Sequence, residues 1–249
     1  MTTGVTVVTG GSRGIGAAVA RRLGGLEGRV CISYREDAEA ARSVVSDVIA
    51  AGGEAVAVQA DMSRPDDIER LFTTADKELG TLSGLVNNVG ILEQQCRVDE
   101  LDAARLRRIL DTNVVGYFMC ARQAVLRMST MHGGVGGAIV NVSSAASRLG
   151  APGEYVDYAA SKGAVDTLTT GLSLEVASEG IRVNAVRPGF IRTQIHASGG
   201  DPDRVARVER NLPMRRGGDP DEVAAAVVWL LSAQASYVTG SFIDLAGGK

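Results

Sequence analysis

A basic excess, paired cysteines and long apolar runs are all missing from this chain. Its 26 Lys and Arg are outnumbered by 29 Asp and Glu, a net charge of −3 over 249 residues. Nothing therefore marks it for nucleic acid or an acidic membrane surface. The three cysteines, Cys31, Cys96 and Cys120, are far apart, with no CxxC and no histidine neighbour. That argues against a disulfide frame or any metal site and suits a reducing, cytoplasmic compartment. Only His132 and His196 are present, both expected at the surface, which leaves little for a Ser-His-Asp relay. No apolar run is long enough to span a bilayer, and Met1 leads into a strand pattern with no basic-plus-apolar leader. Arg105, Arg107 and Arg108 read as a solvated helix face, with Leu106 and Ile109 turned inward. Asn141-Val142-Ser143, formally a glycosylation acceptor, reads as the end of a strand.

What is present is organised. Strand patterns fall near 5–9, 29–33, 54–60, 84–88, 137–143, 181–187 and 241–244, and helical patterns near 14–25, 37–51, 65–79, 101–131, 157–178 and 219–232. Such alternation predicts right-handed crossovers and a parallel sheet covered on both faces. A chain of this length buries a large core without covalent staples, and no linker or repeat divides it. Ligands of such sheets sit beyond the carboxyl ends of the strands, where Thr9, Asn88, Ser144 and Pro188 fall.

Two local patterns carry chemistry. Val5-Thr6-Val7-Val8-Thr9-Gly10-Gly11-Ser12-Arg13-Gly14-Ile15-Gly16 is a β-branched strand, a glycine turn and a helix start. Such a junction brings backbone N–H groups and the positive end of a helix to a pyrophosphate. Its spacing, Gly10-x-x-x-Gly14-x-Gly16, differs from the common Gly-x-Gly-x-x-Gly. Tyr158-Ala159-Ala160-Ser161-Lys162 places a phenol and an amine at i and i+4, on one helix face. An ammonium beside a phenol favours the phenolate and brings proton transfer into a useful range. Tyr155, the other phenol nearby, has Ala159 four residues on and no ammonium to activate it.

With Asn87-Asn88-Val89-Gly90, Asn113, Ser144 and Pro188-Gly189-x-x-x-Thr193, these segments resemble the short-chain dehydrogenase/reductase family along essentially the whole chain. Val89 stands where the family commonly has alanine. The resemblance implies a single-domain α/β fold over 1–249, a Rossmann-type doubly wound parallel sheet. It implies a catalytic set of Asn113, Ser144, Tyr158 and Lys162. Tyr158 is the expected proton donor or acceptor, with Lys162 lowering its pKa and bonding a ribose. Ser144 is expected to hold the reacting oxygen, and Asn113 to interrupt its helix and position a water. Ser143 stands next to Ser144, and only one of the two can face the crevice; the motif favours Ser144, with Pro152-Gly153 looping out the extra residue.

The implied cofactor set is Gly10, Ser12, Arg13, Gly14, Ile15, Gly16, Tyr34, Arg35, Asp61, Met62, Asn88, Gly90, Tyr158, Lys162, Pro188, Gly189, Ile191 and Thr193, with Asp61 on adenine. The second strand ends Ile32-Ser33-Tyr34-Arg35, where NAD sites place an acidic residue; Glu36 arrives one place later. A guanidinium at Arg35, aided by Arg13, fits a 2′-phosphate, so NADP is expected and NAD disfavoured. Residues 194–218, broken by Gly199-Gly200, Pro202, Pro213 and Gly217-Gly218, are expected to be a mobile lid over the substrate.

The expected activity is hydride transfer between NADP and a small carbonyl or secondary alcohol. The alternatives are a 3-oxoacyl thioester reductase, a sugar dehydrogenase, and a non-catalytic NADP-sensing protein. A homotetramer is expected. Its contacts would come from Val114, Val115, Tyr117, Phe118, Val125 and Leu126, from Val165, Leu168, Leu172, Leu174 and Val176, and from Phe242, Ile243 and Leu245 before Gly247-Gly248.

Overall fold

The computed structural model describes residues 4–249; Met1 and the expected chain start lie outside the described residues. Seven parallel strands form one sheet in the order β3-β2-β1-β4-β5-β6-β7. They are β1 (Val5–Val8), β2 (Arg29–Tyr34), β3 (Glu54–Gln59), β4 (Leu82–Asn87), β5 (Gly137–Val142), β6 (Ile181–Pro188) and β7 (Phe242–Leu245). The helices are α1 (Gly14–Gly24), α2 (Ala38–Ala50), α3 (Pro65–Leu79), α4 (Ala103–Leu110), α5 (Gly116–Met128), α6 (Ala146–Leu149), α7 (Val156–Val176), α8 (Ile195–Ser198), α9 (Arg204–Val208) and α10 (Pro220–Leu231).

Both sheet faces are buried, which is why the strands read as nearly continuous apolar runs. Successive side chains point to opposite faces. Val8, Ile32, Val86 and Val140 pack with Val19 of α1, Val44 of α2 and Val227 of α10. Their neighbours Val7, Cys31, Leu85 and Ile139 pack with Ile68 and Phe72 of α3 and Ala124 of α5. Each such side chain contributes about 1.5–3 kcal/mol by leaving water. Strand order reverses between β1 and β4, and the crevice opens there at the carboxyl ends.

The single helix expected over 101–131 is instead two helices joined by a π-turn at Asp111–Val115. Asn113 lies in that turn, so the local interruption expected of it is present. Asn141 is buried within β5 and donates through Nδ2 to Thr169 Oγ1 at 2.9 Å, a strand residue as the sequence suggested. No helix among the described residues is long and apolar enough to cross a membrane.

Two surface expectations fail. Arg105 is 9 % exposed while Leu106 is 38 % exposed. Asp157 at the start of α7 draws Arg105 inward, its Oδ2 accepting from Nε at 2.7 Å, and Arg105 Nη1 donates to Gln94 O at 2.7 Å. The paired, hydrogen-bonded charge makes the burial tolerable, and no periodicity argument sees that partner. His196 is 8 % exposed because α8 turns it into the protein, whereas His132 is exposed as expected.

Candidate active site

A cavity of about 720 Å³ runs from the glycine turn to the 194–218 segment. Its first end is the turn after β1. Gly10 and Gly14 have φ of +65° and +55°, where a side chain would strain the backbone. A Cβ on Gly16 would collide with the Gly10 carbonyl oxygen. Ser33 Oγ accepts from Gly10 N at 3.0 Å, and Asn88 Nδ2 donates to Thr9 O (2.9 Å) and Gly10 O (3.2 Å). Arg13, the residue before α1, gives that helix no side-chain cap, and its first turn holds no acid. The N-terminal N–H groups are left for an anion.

At the end of β2, Tyr34 and Arg35 line the cavity. Arg35 is held by its neighbour, Nη2 lying 2.7 Å from Glu36 Oε1. Asp61 Oδ1 accepts from Ser63 N (2.9 Å) and Ser63 Oγ (2.7 Å), which fixes the turn after β3. Ser12, Ile15, Met62, Gly90, Pro188, Gly189 and Ile191 also line the cavity, as does Thr193 opposite Gly14. Of the expected cofactor residues only Gly16 stays behind the wall, inside the turn that it makes possible.

The middle of the cavity holds the catalytic candidates. Ser144, Tyr158 and Lys162 line it, while Asn113 is buried behind. Asn113 Oδ1 accepts from Ile91 N at 2.8 Å, and its Nδ2 donates to Ile91 O (3.0 Å) and Ser161 Oγ (3.1 Å). Ser144 lies beside the Tyr158 phenol and pulls its pKa down, and its Oγ accepts from Ala146 N at 3.1 Å. Ser143 also lines the cavity, and its hydroxyl is engaged by Asp166, donating to Oδ1 at 2.6 Å. Tyr155 donates its hydroxyl to Gly199 O at 3.0 Å, which ties it to the 194–218 segment.

Lys162 has partners that the spacing did not name. Its Nζ donates to Tyr117 Oη (3.0 Å) and Val142 O (2.8 Å) and lies 5.7 Å from the Tyr158 ring centroid. Burial depresses its pKa from 10.5 to about 7. Burial likewise pushes the Tyr158 phenol above its ordinary range, against the Ser144 hydrogen bond and the Arg204 charge that pull it down. Ser144 and Arg204 are thus the groups that pull the phenol down, while Lys162 gives two of its three hydrogens to Tyr117 and Val142.

A family model described as Enoyl-(Acyl carrier protein) reductase matches residues 10–249. The chain belongs to the short-chain dehydrogenase/reductase family. It is 61 % identical to the uncharacterized oxidoreductase YgfF of Escherichia coli (strain K12) over 98 % of this chain and 99 % of that one. It is 43 % identical to 3beta-hydroxysteroid dehydrogenase 1 of Eggerthella lenta, over 97 % and 92 %. The structure of a short-chain dehydrogenase/reductase from Serratia marcescens superposes with a TM-score of 0.90 at 31 % identity, covering 98 % of this chain and 97 % of that one. The protein is therefore an oxidoreductase of a family that uses nicotinamide cofactors.

Within this dehydrogenase/reductase scaffold, several residues escaped the sequence reading. Tyr117 holds Lys162, and its signal was available: it lies four residues after Asn113 on the same helical run. Asp166, four after Lys162, accepts from Ser143 and pairs with Arg187 at 3.0 Å. Glu154, His196 and Arg204 reach the cavity only through tertiary folding and left no local signal.

Proposed function

We propose that the protein is an NADP-dependent oxidoreductase acting on a small or medium carbonyl compound or the corresponding secondary alcohol. The observation that carries this reading is the convergence of Ser144, Tyr158 and Lys162 on one wall of a cavity whose other end is the uncapped start of α1. The positive-φ glycines and free N–H groups there fit a pyrophosphate. Arg35 and Arg13 border the place of a ribose 2′-phosphate, and no carboxylate stands at position 35 to favour the 2′-hydroxyl of NAD. When bound, the nicotinamide supplies the hydride.

The residues do the rest. Ser144 donates a hydrogen bond to the carbonyl oxygen, an interaction that strengthens as negative charge develops. Tyr158 gives its phenolic proton to that oxygen during reduction and takes it back during oxidation. Lys162, anchored by Tyr117 and Val142 O, offers its remaining hydrogen to the ribose and stabilises the phenolate at short range. Asn113 keeps the Ile91 backbone in place and positions a water that refills the proton. The 194–218 segment acts as a lid, and the whole of 1–249 is one catalytic domain.

The description of the matched family model favours a second reading, a 3-oxoacyl thioester reductase. Docking of an acidic carrier needs free basic groups at the mouth. Arg204 is paired with Glu154 and Arg148 lies 3.4 Å from Asp244, which leaves Lys249 as a cavity-lining cation without a carboxylate partner among the described residues and favours a free small substrate over a large acidic carrier. Steady-state oxidation of NADPH and NADH against a panel of ketones, aldehydes and 3-oxoacyl thioesters tests the reading. Consumption of NADPH with simple ketones is expected; binding without consumption would leave a sensor. We further propose a homotetramer. Phe118 and Leu126 on α5 and Leu174 on α7 remain 41–79 % exposed, whereas Tyr117, Val165, Leu168 and Val176 are buried within the subunit. Light scattering after gel filtration should give four copies, and a monomer at micromolar concentration would refute it.

A further inference from the structure

Two polar atoms in the segment proposed as a lid are buried without partners, Nδ1 of His196 and Nε of Arg204. The two residues are 8 % and 9 % exposed, and both line the cavity. The other side of each residue is engaged. His196 Nε2 lies 2.9 Å from the Ile191 carbonyl oxygen, which only accepts, so Nε2 carries the hydrogen. In a neutral ring Nδ1 is then a bare acceptor. Burial and the nearby Arg204 charge both favour the neutral ring. Arg204 Nη2 donates to Glu154 Oε2, and the guanidinium lies 4.5 Å from the Tyr155 ring centroid and 5.3 Å from that of Phe190. Its Nε–H is a bare donor.

One orphan acceptor and one orphan donor in the same wall define what would satisfy them. A carboxylate is a poor match, because Glu154 already balances the Arg204 charge and an anion would face the Nδ1 lone pair. An apolar group leaves both atoms unpaired, which is costly in a buried site. A hydroxyl both accepts and donates.

We propose that the chamber takes carbonyl substrates bearing a hydroxyl group remote from the reacting carbon, the hydroxyl accepting from Arg204 Nε and donating to His196 Nδ1, singly or as neighbouring hydroxyls of a diol. This rests on the reading of Tyr158 as the proton donor for a carbonyl in the same cavity. Both atoms are sealed from solvent as the segment stands, so α8 and α9 shift to admit the hydroxyl. The Gly199-Gly200 junction between them, with Gly200 at φ +84°, supplies the backbone freedom.

The test uses matched ketones: cyclohexanone against 4-hydroxycyclohexanone, and 2-butanone against 4-hydroxy-2-butanone, with NADPH. The wild type should favour the hydroxylated member by about tenfold or more in kcat/KM, because sites built to bond a hydroxyl reject analogues that lack it. His196→Phe and Arg204→Met should each collapse that ratio to about threefold or less. His196→Asn, whose Oδ1 replaces Nδ1 on the same branch, should retain most of it. Equal kcat/KM for both members in the wild type, or a ratio untouched by both collapsing variants, overturns the inference. Dissociation constants of the same ketones for Tyr158→Phe with NADP⁺ read the subsite without turnover. A hydroxyl preference there with no wild-type turnover keeps the subsite and overturns the assigned reaction. No preference in binding overturns the subsite whatever the turnover. Because the ketone pairs vary the ligand on the unaltered protein, the result stands even where a variant fails to fold.

Discussion

The two ends of the sheet treat cations withdrawn from water in opposite ways. At the amino ends, Arg182 of β6 donates to three carbonyls where α10 finishes, Leu230 O (2.8 Å), Leu231 O (3.3 Å) and Ser232 O (3.1 Å), and to Val238 O (3.3 Å) ahead of β7. Arg29 of β2 does the same for α3, donating to Leu79 O at 2.8 Å. Helix C-termini present orphan carbonyls with partial negative charge, and these arginines satisfy them. At the carboxyl ends, Lys162 loses much of its basicity to burial, and His196 and Arg204 each keep a buried polar atom unpaired. One end is organised to be satisfied by the protein itself, the other to be completed by ligands.

The largest effect should come from the incomplete end. Tyr158→Phe removes one proton and almost no volume, so turnover should fall by about 10²–10⁴ or more while NADPH affinity stays close to wild type. The thermal midpoint should move little. Activity near that of the wild type would remove Tyr158 from the reaction, and suspicion could not pass to Tyr155, whose hydroxyl is committed to Gly199 O.

The complementary change at the satisfied end should cost stability. Arg182→Met strands carbonyls at the finish of α10 that the guanidinium now covers. Water reaches only some of them, so a loss of about 2–4 kcal/mol is expected. In a chain of this size that lowers the midpoint by about 5–15 °C. Turnover per folded molecule should hold. If denaturant titration shows less than about 1 kcal/mol, the contrast between the two ends is wrong.

This contrast marks where the sequence was legible. The strands and glycine turn were readable because burial on both faces writes apolar runs, and because Gly10 and Gly14 answer a backbone demand local to the turn. Ser144, Tyr158 and Lys162 were readable as a set through spacing and family resemblance, and they meet in one cavity. What could not be read depends on partners distant in sequence. Arg105 belongs to a charge cluster by composition, yet Asp157, 52 residues away, draws it inside. His196 is isolated in the sequence and buried in the fold. The π-turn gives Asn113 its position through Ile91 and Ser161, neither of which a helix pattern names. The expected influence of Lys162 on Tyr158 was drawn from spacing and resemblance, and neither names Tyr117 and Val142, which take two of its hydrogens.

Lys162 also allows a pH measurement on the cofactor-free protein. Its folded pKa of about 7 lies below the ordinary 10.5. Between those values the unfolded chain holds a proton that the folded chain has released, so stability rises with pH in that window and is lost as pH falls towards 7. The slope from this one group approaches about 1.4 kcal/mol per pH unit. Cys31, pushed up to about 12 from an ordinary 9, works in the opposite sense once the unfolded thiol ionises. The clean interval is therefore about pH 7 to 9. Denaturant titrations across it should show wild type gaining on Lys162→Met as pH rises. Parallel lines would mean that Lys162 is not charged at a cost in the fold.

The smallest effect sharpens the comparison within the carboxyl end itself, between a cation the protein has buried and one it has left outside. Arg35 is exposed and held by Glu36 at 2.7 Å, an arrangement worth little in water. Exchanging that partner for a phosphate therefore costs almost nothing, and a charge-assisted bond to phosphate contributes about 1.5–3 kcal/mol. Arg35→Asp replaces that donor with a carboxylate that repels a phosphate and accepts from a ribose hydroxyl. The ratio of kcat/KM for NADPH over NADH should fall by about tenfold or more, with the change mainly in KM because the reacting groups are untouched. Arg13→Ala should move the same ratio in the same direction by less, since the exposed Arg13 side chain stands at the glycine turn and shares the phosphate. If wild type already prefers NADH, the NADP assignment fails, and the Arg35–Glu36 pair is then the resting state of that position rather than a partner waiting to be displaced.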